Sequence, residues 1–217
     1  MRLLLVLASL ALLGGCNVLM TKDPLFSAAD GAGAPRLRPG VWEQAPSGDC
    51  TVDESQPLAS WPSCANGFVV EDNGTVGSFS QHDGKQVWTT TPYVLAAGDP
   101  PIFQIHLSDD SAGAGTPPLF VYAAIRATKS DEAGRVVAIS AWVVLCGPPP
   151  PADAKAPDGK TQRYGTLAPA AGLTMDADAN DCTTTSQDAA RHAAAESEHW
   201  TKPDGFTASH WLRDGDH

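Results

Sequence analysis

Residues 119–128 read LFVYAAIRAT and residues 135–146 read RVVAISAWVVLC. β-Branched and aromatic residues dominate both, and Lys129 to Gly134, rich in turn formers, joins them. In each stretch both faces are apolar. Leu119, Val121, Ala123 and Ile125 alternate with Phe120, Tyr122 and Ala124. Val137, Ile139, Ala141, Val143 and Leu145 alternate with Val136, Ala138, Trp142 and Val144. A strand with one wet face would alternate apolar and polar side chains. These two strands are therefore expected at the centre of a sheet, covered on both sides.

Working upstream, Phe68-Val69-Val70 leads into Asn73-Gly74, a type I′ hairpin signal, and Thr75 to Gln81 follows. Asp83-Gly84 separates that stretch from Lys85 to Leu95. Ile102 to Leu107 reads as a short strand between Pro100-Pro101 and the loop Asp109 to Pro118. Downstream, Gly147 to Gly159 is an extended loop containing Pro148 to Pro151, and two weak apolar segments follow at Tyr164–Leu167 and Leu173–Met175. Thr184 opens the one helix signal, with Gln187 as capping-box partner, and the helix stops near Trp200, before Pro203. Its inward stripe is Ala189, Ala193 and Trp200, with Gln187, Arg191 and Glu198 facing out. The expected fold is α+β and β-rich: an antiparallel meander sheet packed by one C-terminal helix (about 184–200) in a single domain over 40–217. No internal repeat interrupts it.

The chain carries 14 Lys and Arg against 25 Asp and Glu, a net charge of −11 over 217 residues. Phosphate contacts need clustered positive charge, so nucleic acid is excluded as a partner, as is electrostatic docking on anionic lipid. A hydrophobic fraction of 42% is too high for a fully disordered chain.

The first residues address the chain. Arg2 precedes an apolar run from Leu3 to Leu13. About 11 residues suit a signal peptide and fall short of the ~20 that span a membrane. Leu13-Gly14-Gly15-Cys16 resembles the lipobox of bacterial lipoproteins, with Gly14 where Ala or Ser is commoner. The resemblance implies that signal 1–15 is removed, that Cys16 is diacylated on sulfur (a palmitate-type modification), and that its new amine is acylated. Two or three chains make such anchoring stable. Asn17, in place of an Asp, implies by the same resemblance sorting to the outer membrane. Residues 16–39, with Gly, Ala and Pro at 30–35, are expected to form a flexible tether reaching about 25–30 Å.

Four cysteines remain after Cys16: Cys50, Cys64, Cys146 and Cys182. An even number in an exported chain reads as two disulfides, with three pairings open. Cys50–Cys64 and Cys146–Cys182 are favoured because neighbours in sequence tend to be neighbours in space. No CxxC occurs, which argues against a thiolate metal site.

Lipobox, tether, Cys-stapled β domain and Ala-rich helix together resemble small envelope lipoproteins of Gram-negative bacteria. That implies a membrane-anchored, periplasm-facing structural or protein-interaction module, with the membrane and an envelope protein as partners. Gly40-Val41-Trp42 resembles the GxW that opens the first strand of lipocalins, which are antiparallel meanders with a late helix. It implies the alternative, a lipocalin-like carrier of small apolar ligands, which needs a closed barrel. No TDY-like turn accompanies it and the Pro-rich loop after Cys146 departs from a compact barrel, so Trp42 is expected simply in the core.

For chemistry, Asp188, His192, Glu196 and His199 share one helix face at spacings suited to a divalent metal, but no second helix completes the set. His192, Glu196 and His199 are the candidate ligands of a third reading, a metal-dependent enzyme, which needs a further ligand from elsewhere. Asp176, Asp178 and Asn180 imitate the start of a calcium loop, which then fails at Asp181 and Gln187. No GxSxG, Walker or GxGxxG motif occurs. The chain is expected to be a non-enzyme without cofactors.

Overall fold

The computed structural model describes residues 17–45, 50–62, 64–82, 85–107, 119–151, 153–154, 166, 168–176 and 181–215. Strand β1 (Met20–Thr21) precedes seven consecutive antiparallel strands: β2 (Gly40–Gln44), β3 (Asn66–Val70), β4 (Thr75–His82), β5 (Lys85–Ala96), β6 (Ile102–Leu107), β7 (Leu119–Ser130) and β8 (Val136–Val143). A two-residue ladder, β9 (Thr174–Met175) with β10 (Cys182–Thr183), leads to helix α1 (Gln187–Trp200) and then β11 (Thr207–Arg213). β11 pairs with β8 on one side and β2 on the other. The meander therefore closes into an eight-stranded barrel. The Pro-rich segment does not interfere, because β8 has already ended at Val143 before Pro148 begins.

The hairpin signals act as expected. Gly74 takes a φ of 80° in the β3–β4 turn, which a side chain would strain. At the β7–β8 turn the Asp131 carboxylate accepts from the amides of Ala133 and Arg135. Three turns (β3–β4, β5–β6 and β7–β8) share one end of the barrel, the near end. The tips of β2, β6 and β8 lie at the far end.

Closure gives β7 and β8 the two covered faces expected of them. Inside the barrel, one cluster draws Trp42 from β2, Val70 from β3, Val76 from β4 and Leu95 from β5. Phe103 from β6, Ile125 from β7, Ile139 from β8 and Trp211 from β11 complete the ring. Trp42 is wholly buried, its indole donating to the Arg38 carbonyl at 2.8 Å. Outside, Tyr122, Ala124, Trp142 and Val144 pack under α1 against Ala189, Ala190, Ala193 and Ala194. A third cluster, Val41, Val69, Leu58 and Trp61, lies on the outer wall of β2 and β3 beneath the loop tied by Cys50–Cys64. Cys146–Cys182 is the second disulfide, so both favoured pairings are present.

Two expectations for the helix change. Its N-cap is Ser186, whose hydroxyl accepts from the Ala189 amide, because Thr184 is occupied in donating to the Gly172 carbonyl. Small residues form the buried stripe, Ala189, Ala190, Ala193, Ala194 and Ser197, whereas Trp200 is only half-buried. Nor do the outward residues face water alone. Gln187 donates to the Leu25 carbonyl, Arg191 to the Ala97 carbonyl, and Glu198 receives Arg126 of β7 in a bidentate pair at 2.8 and 3.0 Å. A face of alanines and one serine lets the helix approach so closely that long polar side chains at its flanks reach the barrel.

Residues 17–39 also depart from expectation. Rather than hanging as a tether, they pack on the barrel. Asn17 is buried and its amide donates to the Gly147 carbonyl. Val18 bridges Leu145, Leu19 donates to the Val144 carbonyl, and Met20 pairs with Val121, so the segment wedges into the fork where β7 and β8 part at the far end. Phe26 packs under α1, with the Gln104 amide accepting from and donating to its backbone. Leu37 bridges Val136 and closes part of the near end. The apolar residues Leu19, Phe26 and Leu37 follow no period, which is why the segment reads as unstructured. Each nevertheless covers an apolar patch, stabilising by about 1.5–3 kcal/mol when fully buried.

Candidate functional site

In a strand alternate side chains face the same way, so the interior cluster identifies every inward position. Gln44 follows Trp42, Ser78 follows Val76, Ile105 follows Phe103, Val143 follows Ala141 and Ser209 precedes Trp211, each by two residues. Small eight-stranded barrels are either filled by side chains or hold one small ligand. Here several inward residues, Phe68, Phe103, Ala141 and, at the end of β8, Val143, remain only half-buried although the wall is closed around them. Tyr93 and Phe103 stack with ring centroids 4.5 Å apart along one side of this space.

The two sides of the far half differ. Ser209, Gln44 and Asn66 are direct cross-strand neighbours on β11, β2 and β3, and Ser78 faces Thr89 across β4 and β5. Facing this polar arc are Ile105, Val121 and Val143 on β6, β7 and β8. Among the described inward residues none is acidic, and Lys85 holds an inward register position at the far end of β5, opposite His82. At the near end residues 31–39 cross the opening and leave a cleft of about 1030 Å³, with Tyr93 and Leu95 of the inner wall among its lining.

On the outer wall, beneath the Cys50–Cys64 loop, Glu43, Glu54 and His210 bring one ligand atom each within 4.8 Å of the others. Glu43 is buried, and its carboxyl is pushed up from the ordinary range, chiefly by desolvation and then by Glu54, against the opposing pull of His210. A raised folded-state pKa makes the ionised form a burden that is present above that pKa and relieved as pH falls through it. Glu43→Gln is therefore expected to raise the melting midpoint by on the order of 1–3 °C at pH 8. The gain should vanish as pH falls to the carboxylate range, and thermal scans across pH check it.

The helix residues do not assemble a comparable group. Asp188, His192 and His199 are exposed and Glu196 half-buried on the flank of α1, and among the described residues the Glu43 trio is the one set of three whose ligand atoms converge. In the acidic loop, Asp178 and Asn180 lie outside the described residues. Asp181 accepts a hydrogen bond from the Val18 amide at 3.3 Å, a structural use that explains an acid where a calcium loop needs Gly. Cys16 also lies outside the described residues. Sequence reasoning located Trp42 but missed the polar arc. Its only signal is polar Gln44 and Ser209 standing two residues from inward tryptophans.

No family model, curated protein or solved structure matches the chain.

Proposed function

We propose that this protein is a lipid-anchored envelope barrel that binds a small uncharged molecule in its lumen. The observation that supports this is a closed eight-stranded wall whose inner residues Phe68, Phe103 and Ala141 are only half-buried. Closure meets the first requirement of the carrier reading. Among the described residues Val87 is the one large hydrophobic side chain left exposed, which gives little support to an apolar protein-docking face.

The anchor adds orientation. Cys16 precedes buried Asn17 directly, and Asn17 is bonded beside the tip of β8, at the far end of the barrel. Lipid on Cys16 then holds the domain with no spacer and with its far rim next to the bilayer. A ligand exchanging through that rim would come from the membrane.

The experiment is titration of the mature protein with an uncharged, environment-sensitive hydrophobic fluorophore. Binding is expected in the parent. Ala141→Phe, which fills the lumen from the inside of β8, should weaken it about tenfold, the equivalent of 1.4 kcal/mol, while leaving the far-ultraviolet spectrum unchanged. Equal binding by both would place the fluorophore on the outer surface and refute the lumen. In the same expression strain Cys16→Ala should leave the membrane fraction or accumulate as uncleaved precursor; a variant that fractionates and migrates like the parent would refute the anchor.

A further inference from the structure

We infer that the polar arc in the far half of the lumen is a head-group site, and that the ligand is an uncharged amphiphile whose head group carries hydroxyl or amide hydrogen-bond donors. This rests on the lumen being a binding site and adds what it selects. Gln44 is 8% exposed and Ser78 is 3% exposed, yet the side-chain oxygens of both lack any hydrogen-bond partner. Buried polar atoms are almost always paired, and two unpaired oxygens on the same inner surface call for a partner from outside the chain. Gln44 Oε1 can only accept, so that partner donates.

The surroundings narrow the class. Ser209, 5% exposed, flanks Gln44 in register and widens the hydrogen-bonding surface across three strands. Ile105 and Val121 on the opposite side, 7% and 9% exposed, suit a hydrocarbon chain. A carboxylate head group is an acceptor only and would leave Gln44 Oε1 unpaired, while an ammonium would enter a lumen whose described inward residues offer no anion, and an unpaired buried charge is strongly disfavoured. A bare hydrocarbon would leave Gln44 and Ser78 unpaired. The ligand that satisfies both sides has a single acyl or alkyl chain and a neutral polyol or amide head, as in a monoacylglycerol.

The test compares three probes of equal chain length on the mature full chain by calorimetry: monolauroylglycerol, laurate and methyl laurate. Monolauroylglycerol is expected to bind about tenfold tighter than either of the others, because a site built to hydrogen-bond a hydroxyl rejects analogues that lack it. This ranking needs no variant. Gln44→Leu with Ser78→Ala should bring monolauroylglycerol to within about twofold of methyl laurate and leave methyl laurate unchanged. The unliganded melting midpoint should hold or rise, since two unpaired polar atoms are gone. Preference for laurate in the parent, or a monoacylglycerol preference that survives the double substitution, overturns the head-group site. Binding of the hydrophobic fluorophore with no preference among the three probes overturns the head-group site alone, whereas absence of all binding overturns the lumen as well.

Discussion

Trp142→Ala is expected to lower unfolding free energy by about 3–5 kcal/mol, the range for removing a fully buried large aromatic side chain. Trp142 lies on the outer face of β8 with no exposed surface, and its indole nitrogen donates to the Ala194 carbonyl of α1 at 3.0 Å. Its ring meets Phe206 edge-on at 5.7 Å, joining β8 to the segment that enters β11. The substitution leaves a cavity between wall and helix and removes the side-chain bond that holds them together. Since β11 closes the barrel, the damage should reach closure itself. At about 2–4 °C per kcal/mol for a chain of this size, the midpoint falls by roughly 6–20 °C. Trp200→Ala is the informative control. Half-buried at the helix end and outside the outer cluster, it should lose much less than Trp142→Ala. Denaturant titration of both variants checks the ranking, and an equal loss would refute it.

Removing Cys146–Cys182 is expected to destabilise by about 4 kcal/mol from chain entropy, against about 3 for Cys50–Cys64, since the closed loops span 36 and 14 residues. The structure widens the gap. Cys146 and Cys182 are both buried, and Cys182 also donates its amide to the Val18 carbonyl while Cys146 donates to Asn17. The bond therefore clamps the N-terminal wedge as well as β8. Cys64 is exposed. Cys146→Ala with Cys182→Ala should lower stability more than Cys50→Ala with Cys64→Ala in oxidised samples. It should also increase hydrogen exchange at Leu19, whose amide bonds to Val144. Protection at Leu19 equal to the parent's would show that the wedge holds without the disulfide.

Much of the barrel wall was legible because its strands are written in local signals. Asn73-Gly74 marked a hairpin, and the doubly apolar 119–128 and 135–146 stretches marked strands with two covered faces. Closure was not legible, since it depends on β11 pairing simultaneously with β2 and β8, strands distant in sequence. Thr207–Arg213 carries no strong periodic pattern, and its pairing partners supply the reason it is a strand.

What the sequence by itself determined is the β-rich class, the antiparallel meander and the C-terminal helix, because each is set by near-neighbour chemistry along the chain; it favoured the two disulfide pairs found without excluding the other pairings. Tertiary structure alone decided that the meander closes, that residues 17–39 belong to the body, that Ser197 rather than Trp200 is the α1 residue buried against the barrel, and that Gln44 and Ser78 share one inner surface. Those outcomes depend on which surfaces meet after folding. Burial rewards apolar contact irrespective of sequence separation, so a chain without periodicity can pack as firmly as one with it.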